Sequence, residues 1–542
     1  MRYGHRFAIV VATAASLAGL VGWPTPLLAE TPARTPTQVA GIGECNILTD
    51  PFAPELGPFA FNLANPTSPL PDTIDPAIKS RITASGLPCQ DSFRPAGPED
   101  SGLEDLQHGF DFFSWLSFIA WNSPADPAVT IDRSQPDMQT RWENMDNFKQ
   151  LLDVMLDSQS SPPRWPTDQN EMEKEKVRLL PPVCRALYKP GMMVVKMIEE
   201  SYNEPFKTGP LIDQQGHYAI FDILMNRTMF DYISAHHLFS KAGQQSAENF
   251  ELAVDFPPGQ NPVDAKPDAA HPQKAVVGDI GAVMLKVSWK ILVPDEIKAR
   301  NFHMVNALVS MPKVEGSKAD PPCLQETLGL IGFHLVHKTV SRPQWIWTSF
   351  EHIRNVPDKD EVAANKFSED RYSFFASKCD GRCPEINATP PRPWTPDPAL
   401  QLRFRKDDST KSQIVRKVPL TQAARNMNKL FHIVLKDTVW ENYMLLSTQW
   451  PSDFNCTSQK VDFQRQPDMT CSPAPTFLAN STLETYSQAE DQGGVPLATS
   501  SCIACHGNAV SFQKNPDSEA KPTAGQLRTN QSDFTFMLEK AP

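Results

Sequence analysis

Cys502, Cys505 and His506 form the arrangement with the clearest chemistry in this sequence. Two thiols separated by two residues lie on one side of a helical turn, where they can add to the two vinyl groups of a haem. The adjacent imidazole then points under the ring, where one of its nitrogens can ligate the iron. Chance produces this pattern about 0.004 times in a chain of this composition, so the signal is specific. We therefore expect one covalently attached haem c, with His506 as an iron ligand.

Three other kinds of site use similar residues, and each fits the sequence less well. A thioredoxin-like redox pair should open a helix inside a βαβ unit, whereas only a short polar tail follows Cys505. A zinc site needs four ligands, and the one further pair with suitable spacing, Cys379 and Cys383, belongs to a chain that we expect to be exported. A disulfide between Cys502 and Cys505 would close a small strained loop and leave His506 without a role.

The second axial position of the iron decides the chemistry, because the motif histidine fills only one of the two. A histidine or methionine there gives an electron carrier, and an open position allows ligand binding or catalysis. The candidates for this distal position are His334, His352 and Met537. The ordinary alternative for each is a hydrogen-bonded or packed structural residue. We favour His334, because a strand would hold it rigidly on a face shared with Leu330 and Val336.

Residues 1–29 are predicted to be a cleaved signal peptide. Arg2 and Arg6 give a positive start, residues 7–21 form an apolar run, and the small residue Ala29 precedes Glu30. An uncleaved membrane anchor is the alternative, but the run is short for a membrane span and prolines follow it. No later stretch of the sequence is long and apolar enough to cross a bilayer. We expect a periplasmic mature protein that does not span the membrane.

The other eight cysteines are candidates for disulfides, because export places them in an oxidising compartment. Sequence proximity predicts two local disulfides, Cys379 with Cys383 and Cys456 with Cys471. Buried free thiols are the alternative for some of them. The remaining four cysteines are Cys45, Cys89, Cys184 and Cys323.

Proline-rich stretches divide the chain, since 51 of its 542 residues are proline. After the signal peptide we expect an irregular proline-rich segment over 30–100, a mixed helical and strand region over 101–256, a sheet-containing region over 273–450 and a cytochrome c-like haem-attachment segment over 470–542. This organisation predicts an α+β fold: a central antiparallel sheet with packed helices, many proline-rich loops and a C-terminal helical haem segment.

Hydrophobic periodicity predicts the principal helices and strands. The expected helices cover 103–122, 228–237 and 424–434, and the expected strands cover 218–225, 283–291, 328–336, 344–352 and 443–449. A capping-box pattern over 481–484 predicts a short helix that continues to Tyr486. Residues 532–538 alternate apolar and polar side chains, which indicates either an ordinary strand or a row of side chains along the haem edge.

Most of the chain after residue 100 resembles a known group of proteins. The stretches that carry the resemblance are Phe113 to Ala120, Leu330 to His334 with Lys338 and Thr339, Gln344 to His352, Thr448 to Pro451, Leu478 to Tyr486 and Ser501 to His506. They are similar to large exported bacterial monohaem proteins of the cytochrome c family, a mostly uncharacterised group. The resemblance implies haem binding at Cys502, Cys505 and His506, electron transfer and a periplasmic location, and it implies no substrate.

Two functions follow from these observations. We expect a c-type cytochrome that transfers electrons to or from other periplasmic redox proteins. The alternative is a haem enzyme, or a sensor of gases or other ligands, with an open distal position, because a simple carrier needs no body of 542 residues. A structural or assembly role for the haem is a third, weaker hypothesis. The net charge of −12 argues against nucleic acid and anionic membrane surfaces as partners.

Overall fold

The structure of the chain is a computed structural model that describes most residues from 103 onwards. The described residues are 103–125, 135–155, 162–166, 168–246, 249, 254–260, 276–277, 279–312, 322–339, 342–366, 372–379, 383–405, 410–452, 472–488, 500–511 and 531–542, together with 44–45, 76, 79 and 82. The predicted signal peptide lies outside them, as do nearly all of the segment 30–100 and the cysteines Cys89, Cys456 and Cys471.

A nine-stranded sheet forms the centre of the described part of the chain. Its strands are β1 (Phe148–Gln150), β2 (Met193–Lys196), β3 (Ile220–Asn226), β4 (Val283–Ile291), β5 (Met304–Ser310), β6 (Cys323–Thr339), β7 (Arg342–His352), β8 (Tyr443–Pro451) and β9 (Pro473–Ala474). The main path runs β9-β8-β7-β6-β4-β3-β1, and β5 joins β6 to β2. Every pair is antiparallel except β2 with β5.

The long strand β6 organises this sheet because it pairs with three others. One of its flanks pairs with β4, and the other pairs with β5 and then with β7. Its register against β4 shifts between Leu330 and Gly332. This bulge reverses the alternation of side chains, so Leu330 joins the core cluster on the opposite side of the sheet from His334 and Val336. The prediction that Leu330 and His334 share a face is therefore wrong.

The helices of the described residues pack around the sheet. They are α1 (Leu103–Asn122), α2 (Leu151–Val154), α3 (Gln169–Arg178), α4 (Pro182–Leu187), α5 (Arg227–Ala235), α6 (Lys241–Gln244), α7 (Pro294–Ala299), α8 (Lys359–Ala363), α9 (Gln422–Val434) and α10 (Cys502–His506). The 3₁₀ helices are Glu199–Ser201, Pro205–Lys207, Pro398–Leu400, Val439–Asn442 and Phe536–Lys540. Two small ladders pair Glu44–Cys45 with Val276–Val277 and Gly259–Gln260 with Asp279–Ile280.

Helices α1 and α9 cover one face of the sheet with aromatic side chains. The indole of Trp115 stacks on the ring of Phe431 with centroids 4.9 Å apart, and its edge meets Phe350 of β7 at 4.7 Å. The hydroxyl of Ser114 lies 2.7 Å from that of Thr348 and 2.6 Å from that of Thr448, so the helix is also tied to two strands by hydrogen bonds. This packing stabilises the face of the sheet that α1 and α9 cover.

The opposite face of the sheet is covered by the C-terminal segments 478–488, 500–511 and 531–542. Ile503 and Met537 are buried in one apolar cluster with Val336 of β6 and Trp347 of β7. Leu483 and Tyr486 belong to a second cluster on the same side, with Ile331. The predicted attachment motif therefore lies against the central strands of the sheet, not on a separate lobe.

The structure confirms the α+β class and the large antiparallel sheet. Helix α1 ends at the predicted residue, and α5 has Asn226 as its N-cap, which accepts a hydrogen bond from the amide of Met229. One prediction at the C-terminal end is wrong, because residues 481–486 form turns instead of a helix. Of the two alternatives for 532–538, the strand is excluded, because these residues form a turn followed by a 3₁₀ helix. In both segments, side-chain contacts with the sheet determine the backbone conformation and override the helix or strand that the local sequence favours.

Two disulfides are present among the described residues. The predicted bond between Cys379 and Cys383 is confirmed. The second bond, between Cys184 of α4 and Cys323 at the start of β6, was not predicted, because 139 residues of sequence separate the two cysteines. Among the described residues, no helix combines the length and the hydropathy that a bilayer crossing requires.

Candidate haem-attachment site

Helix α10 presents the three motif residues in a single turn. Ser501 caps it, because its hydroxyl accepts a hydrogen bond from the amide of Ala504. Gln449 of β8 fixes the helix to the sheet, since its side-chain oxygen accepts the amide of Ile503 at 2.9 Å. Cys502 and Cys505 are not bonded to each other and are partly exposed. The two thiols are therefore free to form other bonds.

The imidazole of His506 has a defined tautomer. Its Nδ1 lies 2.8 Å from the backbone oxygen of Phe534. A carbonyl oxygen can only accept, so Nδ1 carries the proton and donates it. The lone pair is then on Nε2, which faces away from this hydrogen bond. Metal-ligating histidines have this arrangement: a second group binds one ring nitrogen and orients the other.

Aromatic side chains surround the imidazole of His506. The ring centroid of Trp347 lies 4.5 Å away and that of Phe536 lies 5.0 Å away. Burial lowers the pKa of His506 to about 4, so its ring is neutral and keeps the Nε2 lone pair. Burial raises the pKa of Cys505 to about 12 and that of Cys502 well above its usual value, so both thiols are protonated.

The turn that supplies the Phe534 carbonyl is anchored to β6 and β7. Asp533 and Phe534 have positive φ angles of 51° and 64°, a region that is strained for residues other than glycine. Four hydrogen bonds hold Asp533: its carboxylate accepts from Lys338 Nζ at 2.6 Å and from the amide of Phe256 at 2.8 Å, and Trp345 Nε1 donates to its carbonyl at 3.1 Å and to its Oδ1 at 3.4 Å. These contacts maintain the strained turn beneath His506.

A second charged group lies on the same face of the sheet. The carboxylate of Glu484 accepts from His334 Nε2, with both oxygens at 3.0 Å. Lys286 lies beside His334 in the adjacent strand, and its Nζ is 4.0 Å from Glu484. Burial acts to raise the pKa of Glu484, but His334 and Lys286 outweigh it and hold this pKa at about 2. Val336 is the next residue of β6 on the same face as His334, and it pairs with Trp347 of β7. The charged group of His334, Glu484 and Lys286 therefore lies next to the Trp347 ring that contacts His506.

Residues 480–488 form a turn whose polar side chains are tied to the sheet. The side-chain amide of Asn480 donates to the carbonyl of Phe350 at 2.9 Å, and its backbone amide donates to the carboxylate of Glu484 at 3.1 Å. The amide and the hydroxyl of Ser481 donate to the buried carboxylate of Glu351, at 3.1 Å and 2.6 Å. Arg416 also donates to Glu351. The turn is thus a rigid mount that holds Glu484 against His334.

The three candidate distal ligands have different surroundings. His352 is fully buried, and both of its nitrogens are used: Nδ1 accepts from the amide of Arg354 at 3.1 Å and Nε2 donates to the carbonyl of Asn301 at 3.1 Å. Met537 is buried in the apolar cluster that contains Ile503. His334 lies on the haem-motif face, but Glu484 occupies its Nε2.

The donor set fits a haem c. Two neighbouring free thiols, an imidazole with an oriented Nε2 and aromatic rings around it meet the requirements of covalent attachment and proximal ligation. The disulfide removes Cys379 and Cys383 as zinc ligands. Within the described part of the chain, no three His, Cys, Asp or Glu side chains converge as a site for a metal ion.

Sequence patterns do not reveal two groups that are important to this geometry. The Phe534 carbonyl is a backbone group, which no side-chain pattern reveals. Glu484 has the spacing of a capping-box residue, and that local pattern gives no sign of its contact with His334.

The chain matches no known protein-family model, no curated protein and no solved structure.

Proposed function

We propose that this chain is an exported c-type cytochrome that holds one haem through Cys502, Cys505 and His506 and transfers electrons. The observation that carries the proposal is the hydrogen bond from His506 Nδ1 to the Phe534 carbonyl, next to two free thiols. An unoriented histidine beside a pair of thiols would suit several kinds of site. A histidine whose Nδ1–H donates to a carbonyl oxygen is oriented as an iron ligand should be.

The bound haem would supply reversible one-electron chemistry. The protein's contribution is to orient the His506 imidazole and to enclose the attachment helix. Phe534 fixes the direction of Nε2, while Trp347 and Phe536 pack against the imidazole. The bulk of the chain buries the attachment helix against a sheet, which limits the reorganisation of solvent when charge changes.

The proposed location is the periplasm, after cleavage of the signal peptide, and the proposed partners are other periplasmic redox proteins. The two disulfides support an oxidising compartment. Membership of the large monohaem cytochrome c group is part of the proposal, and it rests on the resemblance in the sequence.

Covalent attachment is tested by expressing the full chain in a periplasm that performs cytochrome c maturation. Haem should remain on the denatured chain in a haem stain and give the pyridine haemochrome spectrum of two thioether bonds. Replacing Cys502 and Cys505 together by alanine should remove the stain. Replacing Cys379 and Cys383, also two thiols, should leave it intact. A wild-type chain without covalent haem would refute the proposal.

Electron transfer is tested by mixing the reduced protein with oxidised cytochromes from the same compartment. Stopped-flow absorption should show exchange with at least one of them, and its rate should depend on ionic strength if charged surfaces dock. Failure to exchange with every cytochrome tested would contradict this function while leaving haem attachment intact.

A haem enzyme or ligand sensor is the second candidate, and the pairing of His334 with Glu484 favours it. Each candidate distal side chain is already bound or packed elsewhere, which supports an open iron position. Immediate binding of carbon monoxide to the reduced protein would support this candidate. A six-coordinate spectrum that resists carbon monoxide, and that opens in His334→Ala, would instead identify His334 as the ligand and favour electron transfer.

A further inference from the structure

A cavity of about 200 Å³ lies at the edge of the sheet, away from the attachment helix. It is lined by residues of β1, α2, α3, β2, β3 and β5 and of the loop 137–145. The strands β1 and β2 approach each other here without pairing: Gln150 of β1 donates to the carbonyl of Val194 in β2 at 2.5 Å and to the carboxyl of Asp222 at 2.7 Å. The sheet therefore curls, and the gap between its two ends is the cavity.

Lys149 lines this cavity and is unusually buried for a lysine. Its residue is only 3% exposed. The ammonium lies 5.7 Å from the ring centroid of Phe230 and 5.9 Å from that of Trp165. Among the residues that the structure describes, none provides Lys149 with a hydrogen-bond acceptor. Burial lowers the pKa of Lys149, as expected for a cation with too few partners.

The carboxylates nearest to Lys149 are already neutralised by other cations. Asp153 forms an ion pair with Lys196. Glu175 forms an ion pair with Arg178, with Nη2 and Oε1 2.7 Å apart. Lys149 is thus left without a counter-charge of its own, and leaving a buried ammonium in that state is costly.

Two more carboxylates line the cavity, Asp137 and Glu143. Neither is among the charges that act on the ammonium of Lys149, and Glu143 lies 2.6 Å from His303 Nε2.

A further lysine in the lining, Lys176, donates to the carbonyl of Met192 at 2.6 Å and so adds a second cation. Burial raises the pKa of Asp222 to about 8, so this carboxyl stays protonated at neutral pH. The missing partner is therefore a negative charge from outside the chain.

We propose that this cavity binds a small oxyanion, a carboxylate or a phosphate, with Lys149 as its counter-ion. An oxygen of the anion would accept from the ammonium, whose other neighbours are aromatic faces. The volume admits a ligand of a few heavy atoms and not a cofactor. The site does not depend on the haem, so it stands or falls separately from the proposed function.

The test is calorimetric titration of the haem-loaded full chain with inorganic phosphate and, separately, with acetate, at constant ionic strength set with chloride. At least one probe should bind with one site per chain and raise the thermal unfolding midpoint. Lys149→Met should weaken this binding about tenfold to a hundredfold, the effect of losing one charge-assisted hydrogen bond. Lys174→Met, which removes an exposed lysine of α3, should bind as the wild type does.

The variant also separates binding from folding. Removal of an uncompensated buried charge should leave the unfolding midpoint without anion unchanged or higher. Lys149→Arg, which retains a charge, should retain binding and serves as the second variant if Lys149→Met does not fold. Binding of neither probe to the wild type, or equal binding by Lys149→Met, would overturn the proposal.

Discussion

The Nδ1 atom of His506 lies 2.8 Å from the carbonyl oxygen of Phe534, 28 residues further along the chain. This contact joins the attachment helix to a turn that the sheet holds in a strained conformation. The orientation of the proposed iron ligand therefore depends on residues of β6 and β7 that have no contact with the iron in the proposed site. Changes in those strands should be detectable at the haem.

Trp345→Phe should perturb the haem without touching His506. The change removes the donor to the Asp533 carbonyl and leaves that buried oxygen without its partner. We expect the free energy of unfolding to fall by about 1–3 kcal/mol and the haem reduction potential to shift, measured by urea unfolding and by redox titration. Trp440→Phe is the control, because the Trp440 indole nitrogen has no hydrogen-bond partner among the described residues. Equal potentials for wild type and Trp345→Phe would contradict the expectation.

Glu204 should make stability depend on pH. It is buried and accepts from the amide and hydroxyl of Thr485, at 2.9 Å and 2.8 Å. Burial raises its pKa from 4.5 to about 8. Between these values the folded chain holds a proton that the unfolded chain releases, so the stability from Glu204 is complete below pH 4.5 and is lost as pH rises through about 8.

Glu204→Gln removes this titration. The stability of the variant relative to wild type should increase by a few kcal/mol between about pH 5 and about pH 8.5, measured by urea unfolding at both. Glu385→Gln, at an exposed position, should show the same difference at both pH values. A Glu204→Gln difference that does not change with pH would show that Glu204 is already ionised in the folded chain.

The two disulfides should contribute unequally to stability. The bond between Cys184 and Cys323 closes a sequence separation of 139 residues, whereas that between Cys379 and Cys383 closes one of 4. Chain entropy predicts losses of about 5 and about 2 kcal/mol when each pair is replaced by alanine. Urea midpoints of the two double variants under oxidising conditions measure this difference. Equal losses would indicate that the unfolded chain is already compact around the longer loop.

The sequence predicted the elements better than their contacts. The periodicity of α1, α9 and β4 follows directly from burial against one another, so their approximate bounds could be predicted. The bulge between Leu330 and Gly332 could not, because one extra residue in a strand leaves no signal in a strand that is buried on both faces.

In the candidate site, too, the motif residues could be predicted from the sequence and their contacts could not. Cys502, Cys505 and His506 are identified by their spacing, since the covalent chemistry requires it. Their surroundings depend on long-range contacts: His334 meets Glu484 across 150 residues. Glu484 also has the local spacing of a capping box, and that local interpretation concealed its long-range contact. Tertiary contacts override local propensity where polar side chains are this deeply buried.

Gly332→Ala should displace the turn 480–488, which holds Glu484, from the sheet. A Cβ at Gly332 would collide with the hydroxyl oxygens of Ser288 and Thr482, which lie 3.1 Å apart and join β4 to the turn 480–488. Both oxygens are on short, buried side chains, so the turn must move. We expect a loss of about 1–3 kcal/mol in the free energy of unfolding.

Gly329→Ala is the matched control on the same strand. A Cβ there would meet the end of the Leu292 side chain, which can change rotamer, so the loss should be smaller. Because movement of the turn also displaces the Glu484 carboxylate from His334, Gly332→Ala alone should shift the haem reduction potential. Equal stability and equal reduction potentials in the two variants would show that the turn is not a rigid mount.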